Sequence, residues 1–155
     1  MSSTEFWKPN TVVAAIVERD GRYLFVEEMA SGRAVINQPA GHLDPGETLL
    51  EACRREALEE TGWHIEPTAL VGVYLMQPED SPITYLRFCF LAEALRHDAG
   101  RALDEEIIQP LWLSRAELVA DSARHRSPLV LRCLDDALAG ARTPLSLIQD
   151  LRFGG

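Results

Sequence analysis

Residues 41–63 read Gly-His-Leu-Asp-Pro-Gly-Glu-Thr-Leu-Leu-Glu-Ala-Cys-Arg-Arg-Glu-Ala-Leu-Glu-Glu-Thr-Gly-Trp. A Gly/Pro loop runs here into a helix with legible ends. Thr48 suits the N-cap, and Glu51 three residues on completes a capping box. Gly62 supplies the stop, because only a residue free of Cβ strain enters the left-handed conformation easily. The spacing therefore predicts a helix over 49–61. Leu49, Leu50, Cys53 and Ala57 fall on one flank and form the buried side. Glu56, Glu59 and Glu60 stand at i, i+3 and i+4, so they share a face. Like charges so placed repel and weaken a bare helix. A hard divalent cation, Mg²⁺ or Mn²⁺ as substitute, offsets that repulsion through carboxylate oxygens. Arg55 lies four residues after Glu51 and four before Glu59 and can fork to either. Pro39, Gly41, Pro45 and Gly46 bend the preceding loop, which lets backbone carbonyls and Glu47 approach the acidic face.

Outward from this helix the pattern alternates strands and helices. Residues 11–18 are β-branched and apolar, Asp20-Gly21 is a turn, and 22–29 resumes the strand pattern, a hairpin. A short strand over 34–38 leads into Pro39. Residues 64–77 read as a strand broken at Pro67, 83–95 as a long strand pairing back, and 107–113 as a further strand. Ser114 and Glu117 make a second capping box. Ser127 as N-cap and Pro128 at the first position start a helix to Ala139, ended by Gly140, with Leu129, Cys133, Leu134 and Ala137 facing inward. Such alternation gives an α/β fold, a mixed sheet covered on both faces.

Composition narrows the class. The 155 residues fit one domain with a real core, and 46% are hydrophobic. Fifteen basic against 24 acidic side chains leave a net charge of −9, which argues against unspecific nucleic-acid or anionic-membrane binding. An acidic protein that binds a polyphosphate needs a bridging cation. Cys53, Cys89 and Cys133 show no paired spacing and sit in apolar stretches, which predicts buried free thiols and a reducing compartment. Met1–Asn10 has no long apolar run, and no segment approaches the length of a membrane span. The expected location is the cytoplasm.

Gly41, Glu47, Arg55-Glu56, apolar Ala57, Glu59-Glu60, Gly62 and apolar Trp63 together resemble the signature box of the Nudix hydrolase family at every fixed position. Ala57 is small and Trp63 large for their slots. Asn37-Gln38-Pro39-Ala40, Arg126-Ser127-Pro128-Leu129 and Pro144-Leu145 extend the likeness to a bacterial phosphatase branch of that family, over about residues 8–151. The resemblance implies a Nudix-type α/β/α sandwich and Mg²⁺-dependent cleavage of small pyrophosphate compounds. It adds the Gly41 carbonyl and Glu47 to Glu56, Glu59 and Glu60 as metal ligands. The branch implies removal of terminal phosphate from nucleoside tri- and diphosphates and from hydroxymethylpyrimidine pyrophosphate. Release of pyrophosphate from a nucleoside triphosphate and cleavage of a sugar-nucleotide stay open beside it. A nucleotide-binding module without catalysis is disfavoured because Glu47, Glu56, Glu59 and Glu60 all stand.

Glu59 and Arg55 within the box are catalytic candidates, and Asp104-Glu105-Glu106 offers a distal general base, with Glu105 or Glu106 ahead of Asp104. Arg33, Asn37, Gln38 and Arg87 are the expected substrate contacts, although Arg87 on a strand equally suits a surface charge. Tyr74, Tyr85 and Trp112 could stack a base but more often belong to a core. The expected partner is a small nucleotide or pyrophosphate, with the protein a monomer or homodimer.

Overall fold

A computed structural model describes residues 5–151 of the chain. The reading of Met1–Asn10 therefore lies partly outside the described residues. Seven strands are present: β1 (Asn10–Arg19), β2 (Arg22–Ala30), β3 (Arg33–Asn37), β4 (Ala40–His42), β5 (Trp63–Met76), β6 (Tyr85–His97) and β7 (Ile107–Leu113). The helices are α1 (Leu49–Thr61), α2 (Arg115–Ala120) and α3 (Leu129–Leu138), with short 3₁₀ turns at Ser122–Arg124 and Leu145–Leu147.

The strands run in the order β3-β2-β1-β6-β5, with β4 added on β1 and β7 on β2. β1 lies parallel to β6, while its other pairings are antiparallel, so the sheet is mixed. β1 is buried from Val12 to Val17, as a central strand covered on both faces must be. Its alternate residues go to two cores. Ala14 and Ile16 pack with Cys89 and with Leu118, Val130, Cys133 and Leu134 from α2 and α3. Val13, Ala15 and Val17 pack with Phe90 and with Ala52, Cys53 and Ala57 of α1. This is the α/β/α sandwich, and all three cysteines are buried and free.

The β1–β2 hairpin turns on Asp20 and Gly21, with φ of 53° and 76°, the pair of left-handed residues a two-residue hairpin wants. α1 begins and ends where its signals placed it: Thr48 and Glu51 form the full capping box, and Gly62 is left-handed at φ 76°. Ser114 and Glu117 cap α2 in the same way. Elsewhere the structure corrects the sequence reading. Pro67 does not break β5, which stays one strand and absorbs the proline through shifts in its register with β6. An edge position tolerates the missing N–H. α3 is one residue shorter than expected at each end: Pro128 rather than Ser127 stands at the N-cap, without a side-chain cap bond, because its own backbone is already helical but the ladder starts at Leu129; Ser127 Oγ accepts from the Leu129 N–H at 3.2 Å, and Gly140 follows at φ 94°. β4, three residues long, carries too little pattern for its sequence to reveal it.

Candidate active site

Three carboxylates of the Gly/Pro loop and α1 are fastened by one guanidinium. Arg55 donates from Nε and Nη2 to the two oxygens of Glu47, at 2.9 and 2.7 Å. Its Nη1 reaches Glu56 at 2.8 Å and Glu59 at 3.2 Å, and Nη2 also reaches the His42 carbonyl at 2.8 Å. The sequence allowed Arg55 a fork to Glu51 or Glu59. The main fork closes on Glu47 instead, because the bent loop carries that carboxylate back over the helix, while Glu51 serves the cap. The bidentate arginine holds the Glu47 carboxyl below its usual range.

Glu56, Glu60 and Asp104 each offer an oxygen, and these oxygens lie within 4.8 Å of one another. Glu60 is 4% exposed and accepts from the Ala40 N–H at 2.8 Å. Burial pushes the Glu60 carboxyl up to about 9 and that of Glu56 up to about 7. Asp104 is raised as well, by burial first and then by Glu59. Acids crowded in a dry place hold protons that a cation would displace. Gly41 makes the crowding feasible, since a Cβ there would lie 2.1 Å from the Glu56 carboxyl carbon. Hard oxygen donors around one point fit a divalent cation such as Mg²⁺.

Asp104, ranked behind its neighbours from sequence, is the member of that acidic run that joins the cluster. Its N–H donates to the Glu59 carbonyl at 3.0 Å, and the Met29 N–H donates to the Glu106 carbonyl at 2.9 Å. These bonds pin the run between the end of α1 and β2. Both Glu105 and Glu106 are exposed, but only Glu106 lines the adjoining cavity. Glu59 is tied to Arg55 beside the cluster rather than within the group of three.

The cavity measures about 780 Å³ and also receives Arg33, Asn37 and Arg87. Arg87 is not a surface charge: it is 6% exposed, and its guanidinium donates to Gln38 Oε1 at 2.9 Å and Asn37 Oδ1 at 3.2 Å. Gln38 is wholly buried and is itself held by the Val130 carbonyl at 2.6 Å. Arg87 makes no ion pair among the described residues, and its guanidinium donates to two amide oxygens and to Cys133 Sγ. Arg33 is exposed and donates to the Ala123 carbonyl. Of the aromatic candidates, Tyr85 lines the cavity, with the His42 ring 6.5 Å away. Tyr74 donates to Asp136 and Trp112 packs edge-on against Trp63, both away from the cavity lining. Sequence reasoning missed Glu28, a buried carboxylate in the cavity wall, and Arg126, which donates to it.

A family profile described as NUDIX domain matches residues 7–133, and that span contains the whole acidic cluster. The chain belongs to the NUDIX family. Among similar proteins of this family, phosphatase NudJ of Escherichia coli (strain K12) is 37% identical over 148 residues, 95% of each chain. A solved NUDIX hydrolase from Nitrosomonas europaea is 46% identical, with a TM-score of 0.91 over 93% of this chain and 98% of that one. A solved UDP-X diphosphatase shares the fold at 20% identity and a TM-score of 0.72, covering 91% of this chain and 68% of its own. The protein is thus a NUDIX hydrolase. No helix among the described residues is long and apolar enough to cross a membrane.

Proposed function

We propose that this NUDIX hydrolase cleaves the phosphoanhydride bond of small pyrophosphate compounds with Mg²⁺, for which Mn²⁺ substitutes. It removes a terminal phosphate, in keeping with the word phosphatase in the name of its relative NudJ, and its proposed substrates are nucleoside tri- and diphosphates and hydroxymethylpyrimidine pyrophosphate. The observation that carries the reading is the convergence of Glu56, Glu60 and Asp104 at the wall of a cavity that is also lined by Arg87, a buried arginine without an ion pair among the described residues.

Glu56, Glu60 and Asp104 hold the cation, with Glu47 and the Gly41 carbonyl beside them. When bound, the cation neutralises phosphoryl charge and lowers the pKa of a water molecule. Arg55 keeps Glu47, Glu56 and Glu59 each in one position, so the carboxylates need no reorganisation when substrate arrives. Glu59, at the edge of the cluster and already hydrogen-bonded, takes the water's proton, with Glu106 the distal alternative and exposed Glu105 behind it. Arg87, backed by Gln38 and Asn37, offers positive charge to the bound anion, and Arg33 extends it at the rim.

A panel of nucleotides and pyrophosphate esters incubated with Mg²⁺ tests this. The expected product is inorganic phosphate, abolished by a chelator. Pyrophosphate as the product would move the attack to another phosphorus, and no turnover at all with any substrate would end the proposal.

A further inference from the structure

Three arginines reach the cavity, and they differ in how firmly they are held. Arg87 is fixed by two amide side chains, and Arg33 is exposed and rests on a backbone carbonyl. Arg126 combines a fixed base with a free end. Its N–H donates to the Ile36 carbonyl at 2.9 Å, and Ser127 Oγ beside it accepts from the Leu129 N–H at the start of α3. Its side chain is 49% exposed, and among the described residues its guanidinium has one hydrogen-bonding partner, Glu28 at 2.5 Å. Glu28 is 2% exposed and lies in the strand that pairs with β7, opposite Ile107 and so close to the Asp104–Glu106 run.

That pairing has an asymmetry. A buried carboxylate needs a positive neighbour, because an uncompensated charge out of water is strongly unfavourable. An arginine half in water does not need Glu28 to the same degree. Its planar fork also fits phosphate oxygens in two-point contact as well as it fits a carboxylate. A phosphate entering the cavity would present itself on the solvated side of Arg126, which lines the cavity with its side chain 49% exposed.

Building on the proposed hydrolase reading, we infer that Arg126 binds the substrate phosphate that is not under attack through the N–H groups that Glu28 leaves free. Arg126 thereby sets a preference for substrates with an anionic group beyond the cleaved bond.

The test compares Arg126→Ala and Arg126→Gln with the parent protein, the glutamine keeping a donor for Glu28 if alanine fails to fold. A methylene-bridged nucleoside diphosphate analogue, titrated calorimetrically with Mg²⁺ present, reads binding without turnover. Both variants are expected to weaken the analogue about tenfold or more and to raise KM by a similar factor, with kcat changed much less. Glu28→Gln, which removes a negative charge beside Arg126 but keeps an acceptor for it, is expected to bind the analogue at least as tightly as the parent. Unchanged analogue affinity and KM in both Arg126 variants would overturn the inference, as would a loss confined to kcat and melting temperature, the mark of a structural pair. A parent protein that hydrolyses no pyrophosphate would instead sink the proposed function, a separate and visible outcome.

Discussion

Gly41 has no side chain, and the Glu56 carboxylate occupies the space one would fill. Gly41→Ala is therefore expected to displace Glu56 rather than to perturb the core. Activity should fall by about tenfold to a hundredfold, the range for a disturbed ligand shell, and Mg²⁺ affinity should fall with it. Calorimetric titration of Mn²⁺ into both proteins checks this, and equal affinities would refute it. Arg55 poses a different question, since it touches Glu47, Glu56 and Glu59 at once. Arg55→Lys retains the charge but loses the planar fork, so kcat is expected to drop by about tenfold or more while the melting temperature moves little. If kcat instead stays near the parent value, the arginine's geometry has no part in positioning the carboxylates.

α1 is an element built against its own charge. Glu56, Glu59 and Glu60 share a face, and Arg55 neutralises only part of it. Two things compensate. Ala52, Cys53 and Ala57 are buried against the sheet, and Thr48 with Glu51 satisfies the first turn. Thr48→Ala is expected to cost about 1 kcal/mol, a loss of roughly 2–4 °C in Tm for a chain of this size. Thermal unfolding of the metal-free variant and parent measures it. No shift would mean that packing alone sets where the helix begins. The same element explains why Cys53 stays an inert thiol: burial pushes it up to about 12.

For the whole molecule, the acidic cluster ties stability to pH and to metal. Burial raises Glu56 to about 7 and Glu60 to about 9 in the folded protein, against 4.5 for a free carboxyl. The folded state thus binds these protons more tightly than the unfolded chain does. The resulting stabilisation is complete below about pH 4.5 and is lost as pH rises through about 7 and then about 9. Metal-free protein is expected to lose melting temperature between about pH 5 and pH 9, with the slope flattened by Glu60→Gln. Added Mg²⁺ should raise Tm more at the alkaline end, because the cation replaces protons already gone. Scanning calorimetry across that range, with and without chelator, decides it; a metal effect independent of pH would contradict the arrangement.

The amino-acid order alone settled what depends on near neighbours. The limits of α1 follow from Thr48, Glu51 and Gly62, the hairpin from Asp20-Gly21, and the shared face of Glu56, Glu59 and Glu60 from helical periodicity. Each of these interactions spans a few residues, so its signal lies in a short window. Tertiary structure decided that Asp104 rather than Glu105 joins Glu56 and Glu60, that Arg87 is buried against Asn37 and Gln38, and that Glu28 meets Arg126. Those partners lie tens of residues apart and meet through the register of β7 on β2 and the docking of α3 on the sheet. Strand register across a fold depends on how the entire core packs, and a charged residue in a strand carries no local mark of whether that packing will bury it.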